Sequence, residues 1–315
     1  YPKIALAAVL GGDFSPKSAM NIHPTSSPVK AQPPPPVFGD IALPNTRLHY
    51  VKAGSGPPLV IVPATVSLIR QWLPLVQFMG QRFTTYFFEL PGHGQSTPYP
   101  EKFESRYVPE TVEAFVNMMG HETFNLMGFS FGGLLALRTL ERLHERIEKI
   151  ILLSPSLSQR ALKWSGSRQW VFRNSVRALK NDRILGGMHY MMNMPQLEDP
   201  LTFALSKFSK VDQRILKSKK AIQLPKTTLE VFAYTVDEIL QMEYQYEDAP
   251  FRTPCYFGMS VNDDILDYNL TEAIVRRSFE DLTIQKFSHP YHQPPEAPTF
   301  EWLVQEFGPF LDIIV

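Results

Sequence analysis

The chain has 315 residues, 44% of them hydrophobic and 12% aromatic, which is enough to bury a large core in one or two domains. Lys and Arg number 31, as do Asp and Glu, so the net charge is +0 and no long-range field draws the chain to nucleic acid or to an anionic membrane surface. No uncharged apolar run reaches the roughly 18 residues that a membrane helix needs, and Cys255, the single cysteine, can make no internal disulfide.

Along the chain, Lys3 precedes the apolar stretch IALAAVL, which reads either as a fragment of a secretory signal or as an extension that packs on the body or frays. The second reading goes with a cytoplasmic protein. Residues 1–45 hold nine of the 28 prolines, including PPPP at 33–36, so the arm, drawn as residues 1–38, is expected to be mostly irregular. TRLHYVKAG, from Thr46, alternates as a half-buried strand, and PLVIVPA, from Pro58, is a continuous apolar one. SLIRQWLPLVQFMGQRF follows with Leu68, Trp72, Leu75 and Met79 on one helical stripe.

Then come TTYFFEL (strand), PGHGQS (turn), VPETVEAFVNMMG (helix with Pro109 in its first turn and Gly120 as its stop), TFNLMGF (strand), SFGGLLALRTLERLHE (helix) and IEKIILLSP (strand). Strands alternating with helices predict the α/β class, a mostly parallel sheet with helices on both faces. From Ser156 to Arg252 the rhythm breaks. That segment reads helical and is rich in large side chains, among them Trp164, Trp170, Phe172, Phe203, Phe208 and Phe232. Its basic run from Lys207 to Lys220 reads as the solvated face of a helix. PCYFGMSV, LTEAIVRRSFE, LTIQKF and APTFEWLVQEFGPFLDII then resume strand, helix, strand, helix. The expected organisation is a core of residues 39–155 and 253–315, with residues 156–252 inserted as a helical cap over the strand ends that carry ligands.

The chemistry centres on LMGFSFGGLL, where Gly128, Ser130 and Gly132 form G-x-S-x-G between a predicted strand and a predicted helix. A serine in so tight a turn projects its hydroxyl into a cleft, and the flanking glycines remove side chains that would collide there. The helix that follows aims its N-terminus at the same place, with the Phe131 N–H facing a developing oxyanion. A serine hydroxyl needs a base, and the base needs an orienting group. Of the eight histidines, only His289 and His292 lie in the loop after the last predicted strand, and both stay open as that base. No Cys/His cluster and no phosphate-loop lysine is present, so no metal and no nucleotide or other cofactor is expected.

These residues give the chain a resemblance to the α/β-hydrolase superfamily, in particular to capped serine esterases and carbon-carbon hydrolases. GFSFGG is similar to the family's nucleophile elbow. FELPGHGQS resembles its strand-end turn, with Glu89 where aspartate is usual, and GPPLVIVPATVSLIRQW lies without a gap on the segment supplying the oxyanion hole. The resemblance implies Ser130 as nucleophile and Asp263, in PCYFGMSVNDDIL, as the acid, with Asp264 and Asp267 as rivals whose other reading is turn and helix-cap residues. It implies His292 as the base, with His289 the alternative, although Tyr291 replaces the customary glycine. The oxyanion hole would come from the N–H groups of Phe131 and Thr65. Pro63-Ala64 stands where His-Gly is usual, so the hole's geometry departs from the family's.

The implied function is hydrolysis of a small-molecule carboxylic ester through an acyl-enzyme, with an apolar substrate under the cap and no nucleic-acid partner. The alternatives are a carbon-carbon hydrolase, thioesterase or acyltransferase with the same triad, or a non-catalytic ligand-binding member of the fold. The serine argues against epoxide hydrolases and haloalkane dehalogenases, which place aspartate at the elbow.

Overall fold

The computed structural model describes residues 32–194, 224–245, 250–294 and 298–315. Eight strands form one sheet: β1 (Val37–Leu43), β2 (Thr46–Ala53), β3 (Pro58–Val62), β4 (Thr84–Phe88), β5 (Phe124–Phe129), β6 (Ile147–Leu153), β7 (Cys255–Ser260) and β8 (Leu282–Phe287). Their spatial order is β1-β2-β4-β3-β5-β6-β7-β8. β2 runs antiparallel to β1 and β4, and every other pairing is parallel. The eight described α-helices are α1 (Ile69–Met79), α2 (Val108–Met118), α3 (Phe131–Leu143), α4 (Gly166–Leu179), α5 (Asp182–Met192), α6 (Lys226–Ile239), α7 (Tyr268–Ser278) and α8 (Phe300–Ile314).

The inner strands are apolar on both sides because helices cover both faces of the sheet. In β3, Val60 and Val62 pack with Val112, Phe115 and Leu134 of α2 and α3, while Leu59 and Ile61 pack with Leu75 and Val76 of α1 and Leu303 of α8. β5 and β6 divide in the same way, Leu126 and Ile150 to the first core, Met127 and Ile151 to the second. Residues one apart on a strand point to opposite faces, so a continuous apolar run is what a doubly covered strand requires. The α/β reading therefore holds, down to the helical stripe of Leu68, Leu75 and Met79, all buried.

The expectation of an irregular arm through residue 38 is corrected at its last two residues, Val37 and Phe38. Val37–Leu43 form β1, paired from Val37 opposite Lys52 to Leu43 opposite Thr46. The strand is on the sheet's edge and mostly exposed, so it needs no apolar run, and it lies between the proline run that ends at residue 36 and Pro44 in the turn to β2. Residues 1–31 lie outside the described residues, as do Phe203, Phe208 and the basic run Lys207–Lys220.

Between β6 and β7, helices α4, α5 and α6 pack on one another and on the core. Thr228 Oγ1 donates to the Gly92 carbonyl at 3.0 Å, Arg138 pairs with Glu238 at 2.6 Å, and Lys163 Nζ donates to the Asp263 carbonyl at 2.7 Å. The first tie brings α6 onto the PGHGQS turn, and the second joins it to α3. Several of the segment's large side chains, Trp170, Ile184 and Tyr190 among them, are exposed rather than buried in a core of their own. No described helix is long and apolar enough to cross a membrane.

Candidate active site

Every candidate site residue sits just past the C-terminal end of a parallel strand: Thr65 after β3, Ser130 after β5, Asp263 after β7 and His292 after β8. The order of strands reverses around β3, and an open α/β sheet gathers ligand groups at such a switch point.

Ser130 has φ 53° and ψ −122°, a conformation that L-residues other than glycine seldom adopt. The turn is closed by hydrogen bonds from Ser130 N to the Leu153 carbonyl at 3.0 Å and from Gly133 N and Ser156 N to the Ser130 carbonyl, each at 2.9 Å. Its tightness explains the glycines. A Cβ on Gly128 would lie 2.2 Å from the Gly132 carbonyl oxygen, and one on Gly132 would lie 2.5 Å from the Val62 carbonyl oxygen. The elbow thus packs backbone on backbone against the β3 end that leads to Thr65.

Asp263 and His292 are joined. Asp263 Oδ2 accepts from His292 Nδ1–H at 2.7 Å, and Asp263 Oδ1 accepts from the N–H groups of Ile265 and Leu266 at 2.8 Å each. Burial by itself raises the Asp263 pKa. The neighbouring imidazole, with hydrogen bonds from it and from the two N–H groups, outweighs that effect and holds the carboxyl below its ordinary range. Of the rivals, Asp264 accepts the backbone N–H of His292 at 2.7 Å, and Asp267 caps α7 by accepting the Leu270 N–H at 2.9 Å.

His289 points elsewhere. Its ring stacks on Tyr291, with centroids 4.6 Å apart, and on Phe287, its Nδ1–H donates to the Tyr291 carbonyl at 3.0 Å, and burial lowers its pKa. His292 is 7% exposed, its ring rests on Phe129 at 5.1 Å, and its Nε2 has no hydrogen-bond partner among the described residues. Ser130 and His292 line one cavity of about 80 Å³. Its far wall comes from Leu162, Trp164, Phe172, Phe232 and Val236 of the helical insertion.

Neither the Phe131 N–H nor the Thr65 N–H has an acceptor among the described residues. The loop between them and α1 is strained, with Val66 at φ 53°. Glu89 supports it: its buried carboxylate accepts the Ile69 N–H that opens α1 at 3.1 Å and the Gln95 N–H at 2.7 Å. Gly94 is required beside it, since a Cβ there would meet Glu89 Oε2 at 2.0 Å.

Four polar groups in this cavity's wall lack partners among the described residues, and for three of them, on Ser67, Ser156 and Trp164, sequence reasoning assigned no site role. Thr65 Oγ1, Ser67 Oγ, Ser156 Oγ and Trp164 Nε1 are all buried and without a partner among the described residues. Ser156 had one available signal, its place in SPS directly after β6. Among the described residues no cluster of three His, Cys, Asp or Glu side chains could hold a metal ion.

Comparison with known proteins agrees with this geometry at the level of the fold. Over 264 residues the chain is 20% identical to pimeloyl-[acyl-carrier protein] methyl ester esterase of Pseudoalteromonas atlantica, covering 82% of this chain and 96% of that one. Over 122 residues it is 25% identical to N-formylmaleamate deformylase of Pseudomonas putida, covering 38% of this chain and 46% of the relative. The chain spans less than half the length of several of the curated relatives it matches, the deformylase included. An α/β fold family hydrolase from Bacillus anthracis superposes with a TM-score of 0.64 at 17% identity, over 89% of this chain and 99% of that one. The model of the alpha/beta hydrolase fold matches residues 57–253, more than half of the sequence, and the chain belongs to that family.

Proposed function

We propose that the protein is a serine hydrolase that cleaves carboxylic esters through an acyl-enzyme. The observation that carries this reading is the pairing of a strained, forward-thrust Ser130 with a His292 whose Nδ1 is held by Asp263 and whose Nε2 is unpartnered among the described residues, both on one cavity wall. Because Asp263 accepts the Nδ1 proton, the neutral ring carries its lone pair at Nε2, where a base for the serine must carry it. An Nε2 not yet bonded to the hydroxyl is common before substrate binds.

In this reading Ser130 Oγ attacks the ester carbonyl while His292 Nε2 takes its proton. The carbonyl oxygen, now negative, accepts hydrogen bonds from the N–H groups of Phe131 and Thr65, which have no other acceptor among the described residues. The imidazolium, stabilised by Asp263, then protonates the departing alkoxide. Water attacks the acyl-serine by the same path in reverse, with His292 again as base. Residues 156–252 act as a cap. Their apolar wall shields the reaction from bulk water, and the hydroxyls of Thr65, Ser67 and Ser156 with the Trp164 N–H offer donors to the ester's oxygens. Ala64 in place of glycine is compatible with this chemistry, since its methyl adjoins the cavity without removing a donor. The esterase among the relatives is consistent with ester cleavage.

The test is a panel of p-nitrophenyl esters, thioesters, β-diketones and epoxides. Ester hydrolysis with a pre-steady-state burst is expected, and it disappears in Ser130→Ala. Turnover of epoxides or β-diketones with none of esters would contradict the assignment.

A further inference from the structure

A second cavity, of about 90 Å³, lies on the other side of His292. It occupies the space between the sheet and helices α1 and α8, the face opposite α2 and α3. Leu75, Phe78, Leu303, Phe307, Phe310 and Leu311 supply much of its wall, and among the described residues no Asp, Glu, Lys or Arg borders it. Dense packing is the norm beneath helices that cover a sheet, so an apolar space here is a departure that calls for an occupant.

The two cavities are neighbours. Gln71, Trp72, Phe129, His292 and Gln293 border both, so the partition between them is one layer of side chains. Three of these are rings in sequence, Trp72 against Phe129 at 5.5 Å and Phe129 against His292 at 5.1 Å. The other two are uncharged, unbranched glutamines. Gln71 accepts the Leu68 N–H at a long 3.3 Å.

We propose that this second chamber receives a linear hydrocarbon chain, so that the substrate is an ester of a medium- or long-chain acyl group whose head reacts at Ser130 and whose tail lies between α1 and α8. This deepens the serine-hydrolase reading and rests on it. The chamber's chemistry selects the tail. A wall of leucine, phenylalanine and tryptophan rewards buried methylenes, and it offers a charged or sugar-like group no partner to replace lost water. Its shape selects it too: the lining side chains of α8 run from Trp302 to Ile314, about 18 Å along the helix, which suits an extended chain better than a compact ring. The cap-side cavity, with its hydroxyls and indole N–H, is left for the ester's oxygens and leaving group.

The experiment uses an alkyl fluorophosphonate whose dodecyl chain ends in a diazirine, reacted with the full-length protein so that Ser130 Oγ displaces fluoride, then photolysed and mapped by peptide sequencing. Crosslinks to Leu303, Phe307, Phe310 or Leu311 are the expected result, and crosslinks to Phe172, Phe232 or Val236 would overturn the proposal, because the tail would then lie under the cap. In parallel, kcat/KM for p-nitrophenyl dodecanoate against butyrate is measured in wild type, Leu303→Trp and Leu311→Trp. Filling the chamber should lower the dodecanoate value about tenfold or more while the butyrate value stays within about threefold. An unchanged ratio in a folded variant refutes the chamber's role. Failure of the underlying reading is separable: no phosphonylation at Ser130 removes the catalytic assignment. A diazirine-terminated dodecanoic acid photolysed with Ser130→Ala still reports on α8, and crosslinks absent there count against the chamber.

Discussion

Replacing Asp263 with asparagine tests the arrangement at the point where geometry dictates chemistry. Both backbone donors, Ile265 N–H and Leu266 N–H, address Oδ1 at 2.8 Å, so the carboxamide oxygen takes that position. The amide NH2 must then face His292 Nδ1, which now lies 2.7 Å from an acceptor. A donor at that place makes Nδ1 the acceptor and drives the ring proton to Nε2, the nitrogen that has to take the serine proton. The expected loss in kcat is about 10⁴-fold, or about 5.5 kcal/mol of barrier. Stability should fall far less, by about 1 to 3 kcal/mol, since the two backbone bonds persist with a neutral acceptor. The assay is p-nitrophenyl butyrate hydrolysis beside urea unfolding of the same preparation. Asp264→Asn is the control: its side-chain oxygen still accepts the His292 N–H, and activity should stay within about threefold. Full activity in Asp263→Asn together with loss in Asp264→Asn would refute the reasoning and move the acid by one residue.

Three further outcomes follow from the same contacts. His292→Ala should abolish ester turnover, whereas His289→Ala, which removes a ring stacked on Tyr291 and Phe287, should leave kcat within about tenfold; steady-state kinetics on both decides. Glu89→Ala strands two backbone N–H groups, each bond to a carboxylate being worth about 1.5 to 3 kcal/mol, so urea unfolding should show about 3 kcal/mol or more of destabilisation, with Glu89→Gln in between. His93 is fully buried with neither ring nitrogen partnered among the described residues, and burial lowers its pKa to about 3. The unfolded chain therefore takes up a proton near pH 6.5 that the native state refuses, so stability is full above that pH and falls by about 1.4 kcal/mol per unit between pH 6 and 4. Unfolding measured across that range should show the slope, and His93→Leu should flatten it. The depressed Asp263 carboxyl acts lower still: its contribution is present above its unfolded pKa and is lost as pH drops through its native one, below about pH 4.

Much of the fold was legible because the inner strands are buried on both faces, and that condition writes itself as runs such as LVIV and IILL. β1 left no such trace, being an exposed edge strand whose partner supplies the pattern. The elbow could be read from G-x-S-x-G because a Cβ on Gly128 or Gly132 would come within 2.2 or 2.5 Å of a backbone oxygen, which leaves glycine no substitute. The choice between His289 and His292 could not, since both lie in one short loop and only its path decides which ring meets Asp263. Glu89 looked like a departure from the family's aspartate, and its bridge from the turn to α1 emerges only in three dimensions. The second chamber was invisible for a similar reason. Its wall is assembled from α1, the four strands β5 to β8 and α8, and each contributing segment alone reads as an ordinary core stripe.

The central claim is that Ser130 is a nucleophile activated by His292. The most direct measurement is the site and rate of phosphonylation by a short-chain fluorophosphonate, mapped by mass spectrometry in wild type and in His292→Ala. Modification confined to Ser130 and slowed by orders of magnitude in the histidine variant is the predicted result. Modification at another residue, or an undiminished rate at Ser130 without His292, would contradict the account.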